Sequence, residues 1–90
     1  HVMVSVILDD DGPLGEPWCE IKGLPGIGSS RAGLAEVLEK DLNQFMMRAG
    51  RKTLGDDKKL EDELRRIARQ SAQSEIGKKP EVTVVISRLS

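Results

Sequence analysis

Few residues in this 90-residue chain can do covalent or metal chemistry, and they are scattered. One cysteine, Cys19, and one histidine, His1, exclude a disulfide framework and a Cys/His metal cluster. Cys19 has no histidine near it in sequence, which also excludes a Cys–His nucleophilic pair. Asp9, Asp10 and Asp11, followed by Glu16 and Glu20, are oxygen donors of the kind a hard cation takes. They lack alternating ligand positions and a closing glutamate at the right distance, so they read as a solvated turn. Gly26-Ile27-Gly28-Ser29-Ser30-Arg31 lies between a strand and a helix, where free backbone N–H groups can hold a phosphate. Arg31 stands where a dinucleotide fingerprint has its third glycine, and no Gly-Lys-Ser/Thr follows. The segment reads as a connector that caps a helix, with Ser29 or Ser30 as the cap.

The densest polar cluster is basic. Arg65, Arg66 and Arg69 recur at helical spacing away from an apolar stripe of Leu60, Leu64 and Ile67. Lys78 and Lys79 follow close behind. Guanidinium forks match phosphate geometry and lysine ammonium groups attract phosphate as point charges, so these five residues are candidate RNA-phosphate contacts. Against that stand Glu61, Asp62 and Glu63, which can pair with the arginines along the helix, as Asp62–Arg66 would, and leave only a solvated face. Base stacking needs aromatics, and the chain has only Trp18 and Phe45.

Composition narrows the class. Hydrophobic residues make up 38% and charged residues 32%, as in an ordinary water-soluble domain. Net charge is −1, whereas a free-standing nucleic-acid binder is usually basic. The charge is divided: residues 1–47 carry three basic and eight acidic groups, and residues 48–90 carry eleven basic and seven acidic. No apolar run approaches the roughly 20 residues that span a bilayer, and no secretory signal pattern precedes the first strand. A cytoplasmic protein without membrane contact is expected.

The elements follow from periodicity. Val2–Leu8 and Val82–Ser87 are β-branched runs with strand alternation, and Trp18–Ile21 is a shorter strand reached through a Gly/Pro turn. Leu34, Val37, Leu38, Leu42, Phe45, Met46 and Ala49 mark one amphipathic helix, stopped at Gly50 with Arg48, Arg51 and Lys52 at its negative end. Leu60, Leu64, Ile67, Ala68 and Ser71 or Ala72 mark a second, capped at Asp56 or Asp57 and ended by Gly77. The expected fold is α+β in the order ββααβ: one domain over residues 1–90, a three-stranded sheet with the first strand central, and two helices on one face. The opposite face would carry Met3, Ser5, Ile7, Thr83 and Val85, with Leu89 beyond, and nothing left in the chain covers it. It is the candidate interaction face.

Three stretches carry a family resemblance. They are Val2-Met3-Val4-Ser5-Val6-Ile7-Leu8-Asp9 with Gly12-Pro13-Leu14; Pro17-Trp18-Cys19-Glu20-Ile21-Lys22-Gly23-Leu24-Pro25; and the closing Gly77 to Leu89. Together they resemble the C-terminal domain of ribonuclease J, a bacterial ribonuclease of the metallo-β-lactamase and β-CASP class. The resemblance covers essentially the whole chain, and the basic–proline–strand junction Lys78-Lys79-Pro80-Glu81-Val82 is its most specific part. It implies an accessory domain of a larger cytoplasmic enzyme that degrades and processes RNA by 5′-to-3′ exonucleolytic and endonucleolytic cleavage. The family's two-metal zinc or manganese centre and its 5′-phosphate pocket belong to other domains. No catalytic, metal or cofactor residue is therefore carried over to this chain. The implied partners are other domains or subunits of the parent enzyme, a homodimer among them, with RNA as the alternative.

Overall fold

The computed structural model describes residues 1–26 and 33–89. Among these residues, four strands and three helices follow in chain order: β1 (Val2–Asp9), β2 (Gly12–Pro13), β3 (Trp18–Ile21), α1 (Leu34–Arg48), α2 (Arg51–Leu54), α3 (Asp57–Ile76) and β4 (Val82–Arg88).

Strand alternation in β1 sends Val2, Val4, Val6 and Leu8 into the core. Both edges of β1 are paired. β4 runs parallel along one edge, from Val2 opposite Val82 to Leu8 opposite Arg88. β3 and β2 share the other edge, both antiparallel, β3 beside Val2 to Ser5 and β2 beside Leu8 and Asp9. The sheet is therefore mixed, with β1 central as expected. A parallel return needs a long crossover, and the helices supply it.

The helices fill the layer above Val2, Val4, Val6 and Leu8. α1 buries Leu34, Leu38, Leu42 and Met46, one residue per turn. α3 buries Leu60, Leu64, Ala68, Ser71 and Ala72. These residues, with Cys19 and Val82, form one continuous core. Each fully buried leucine contributes about 1.5–3 kcal/mol of transfer free energy. Where α1 meets α3, the Ser71 hydroxyl donates to Asp41 Oδ2 at 2.5 Å, so the one buried polar side chain among the described residues has a partner.

Four details depart from the sequence expectation. The order is βββαααβ, not ββααβ, and the sheet has four strands, not three. β2 adds two residues that Gly12 and Pro13 mark as a turn; the hairpin from β1 continues in register for two pairs before leaving. α2 is a single turn without an apolar period. It takes Arg51 and Lys52 away from the end of α1, and Gly50 is its N-cap instead of the stop for α1. α1 ends instead where Ala49 turns extended, at φ −68° and ψ 136°. Its N-cap is Gly33; Ser29 and Ser30 lie outside the described residues. No described helix is long and apolar enough to cross a membrane.

Candidate functional site

Two surfaces arise from this architecture. The first is the sheet face opposite the helices. Since Val2, Val4, Val6 and Leu8 point into the core, Met3, Ser5 and Ile7 point out. Register then builds rows across the strands. Glu20 and Thr83 flank Met3, Trp18 and Val85 flank Ser5, and Ser87 lies beside Ile7. Met3, Ile7, Thr83 and Val85 are exposed and Ser5 is half-buried, so all five predicted residues share one open face.

Sequence reasoning missed two members of this face. Trp18 is 64% exposed beside Ser5, and Leu14 lies opposite Ile7, where its N–H donates to the Ile7 carbonyl at 2.8 Å. Adjacency to Cys19 already required Trp18 and Cys19 to face opposite ways. Only the register between β1 and β3 shows which way each points. Leu89, whose N–H donates to the Leu8 carbonyl at 2.8 Å, extends the alternation of β4. Among the described residues, six of the seven exposed large apolar side chains lie here, Met47 being the exception. In the rows from Met3 to Ile7, Glu20 is the only charged side chain.

The second surface is an open groove of about 310 Å³ beside α3, lined by Asp62, Arg65, Arg66, Arg69, Gln70 and Lys79. It gathers four of the five predicted basic residues; Lys78 does not line it. The four are not equivalent. Arg65 donates from Nε to the Val82 carbonyl at 3.2 Å, which ties α3 to β4, and from a terminal nitrogen to Glu61 on its own helix at 2.7 Å. Arg66 meets Glu63 at 2.7 Å and donates to Gln70 Oε1 at 3.3 Å. Asp62, expected to pair with Arg66 four residues on, instead lies 3.8 Å from Lys58 and 3.6 Å from Arg65.

The remaining candidates have structural duties. Asp9 Oδ1 accepts from the N–H groups of Asp11 and Gly12, at 2.8 and 3.1 Å, so its carboxylate closes the β1–β2 turn. Among the described residues no three His, Cys, Asp or Glu side chains converge in a way that would hold a metal ion. Cys19 is 4% exposed, and Glu39 accepts its backbone N–H at 2.8 Å. Burial first, and the Glu39 charge second, push the thiol pKa up to about 12. A thiol held protonated is a packing group, not a nucleophile.

A small α+β domain with this arrangement presents two surfaces, the open sheet face and the groove beside α3. A family model for the ribonuclease J C-terminal domain matches residues 1–89. The chain belongs to that family and is thereby part of a ribonuclease. Comparisons with curated proteins and with solved structures returned no match.

Proposed function

We propose that this chain is a non-catalytic accessory domain that supports an RNA-degrading and RNA-processing enzyme by self-association through its open sheet face. The observation that carries this reading is the concentration of exposed apolar side chains on that face: Met3, Ile7, Leu14, Trp18, Val85 and Leu89. Two sheets pack face to face about 10 Å apart when alternate side chains interdigitate, and the Ser5, Thr83 and Ser87 positions leave room between the larger ones. Glu20 is the only charge in the rows from Met3 to Ile7, so a second copy meets little repulsion there. Under this reading hydrolysis, with the metal ions that the parent class uses, takes place elsewhere in the enzyme.

Trp18 is the only tryptophan, which makes it a reporter in the native chain. Its emission is expected to shift to the blue as the chain concentration rises, because docking removes the ring from water. A shift produced only by adding the rest of the parent enzyme would assign the face to inter-domain docking instead. Emission unchanged under both conditions would overturn the reading.

A further inference from the structure

The groove beside α3 lies on the helical side of the molecule, away from the open sheet face, and the sheet-face reading does not explain it. We propose that it is a phosphate-binding groove, in which Arg66, Arg69, Lys79 and the Gln70 amide hold phosphate oxyanions. Four cations and one carboxylate line it. The carboxylates beside it are already engaged: Glu61 by Arg65 and Glu63 by Arg66, each at 2.7 Å. Arg69 and Lys79 make no ion pair with another described residue.

Donor chemistry points the same way. Arg66 has only N–H donors, so the Gln70 oxygen must face it and the Gln70 NH₂ group is turned outward. Arg66 uses one N–H on Glu63 and one on Gln70 and retains others. The groove thus presents guanidinium, ammonium and amide donors in one concavity, the set that charge-assisted bonding to a phosphate requires. Arg65 has a different duty. Its bond to the Val82 carbonyl holds the helix against β4, beside which Lys79 enters, and Glu61 on the same helix steadies its guanidinium. The left-handed Gly77, at φ 70°, ends the helix and sends the chain back towards Lys79.

The phosphate can come from a polynucleotide backbone or from free phosphate, and one titration separates them. A fluorescein-labelled oligouridylate is titrated with the whole chain by anisotropy over a salt series, then competed with inorganic phosphate. Wild type is expected to bind with a salt-dependent constant. The Arg69→Gln/Lys79→Gln double variant should show a log–log salt slope shallower by about 1.4, two contacts at about 0.7 each. Lys40→Gln, on the exposed part of α1, should leave the slope unchanged. Displacement by low phosphate concentrations would identify free phosphate as the source; resistance to it would identify the backbone. A wild-type chain that binds neither probe at low salt, or a double variant with the full slope, would overturn the proposal. Nitrogen-resolved NMR of the wild type avoids dependence on variant folding. Phosphate should move the Arg69 Nε–H and Gln70 side-chain signals, and shifts confined to other residues would equally overturn the proposal.

Discussion

Trp18 and Cys19 are neighbours in one strand with opposite fates, and both follow from alternation. Cys19 is buried with its thiol pKa raised from 9.0 to about 12. In the unfolded chain the thiol ionises near its ordinary value, whereas the folded chain keeps it protonated to higher pH. Stability from this residue is therefore complete below about pH 9 and is lost as pH rises towards 12. The stability difference between wild type and Cys19→Ala should shrink between pH 8.5 and 10.5, read by urea unfolding; these two pH values bracket the onset set by linkage, roughly. A difference constant over that interval would contradict the assignment. Arg65 and Arg69 form a second contrast at this scale. Arg65→Ala removes charge-assisted bonds to Val82 and Glu61 and should cost about 1–2 kcal/mol. Arg69→Ala should cost less than about 0.5 kcal/mol, as surface changes usually do. Equal costs in denaturant would show that the tie between α3 and β4 is not energetically distinct.

At the scale of elements, α3 shows how end signals act. Asp56 accepts the Lys59 N–H at 3.1 Å as N-cap, and Gly77 ends the helix in the left-handed region at φ 70°. Asp56→Ala should destabilise by about 0.5–2 kcal/mol. Gly77→Ala should cost about 1–2 kcal/mol through backbone strain alone, since a Cβ there meets no other atom within 4 Å. Thermal melts of the two variants check both figures. α3 was legible because its signals are local: a leucine period, an aspartate before it and a glycine after it. β1, β3, β4 and the outward face of Met3, Ile7 and Val85 were legible for the same reason, through a period of two. β2 and α2 were not, because two residues and one helical turn are too short to show a period. Their formation depends on neighbours, Leu8 and Asp9 for the first and the α1–α3 junction for the second. Trp18 and Leu14 joined the open sheet face only through cross-strand register, which is a long-range property.

For the molecule as a whole, the uneven charge along the chain does not become one basic face. Arg88 pairs with Asp57 and bonds the Leu54 carbonyl, Lys58 lies against Asp62, and Arg65 and Arg66 are held by glutamates. The basic side chains of the α3 groove that pair with no other described residue are Arg69 and Lys79. On the opposite side, the sheet face keeps its apolar side chains exposed with Glu20 as the one charge among its central rows. This division supports both proposals, a second copy of the chain at the sheet face and an anion at the α3 groove. Solution mass by light scattering across a concentration series, for the wild-type chain and for Ile7→Glu, tests the central claim most directly. Ile7 is an exposed residue of β1, so a glutamate there places a charge in the face without disturbing the core. The account predicts a concentration-dependent dimer for wild type and a folded monomer for Ile7→Glu. A wild type that stays monomeric at millimolar concentration, or an Ile7→Glu chain that dimerises as wild type does, would contradict it.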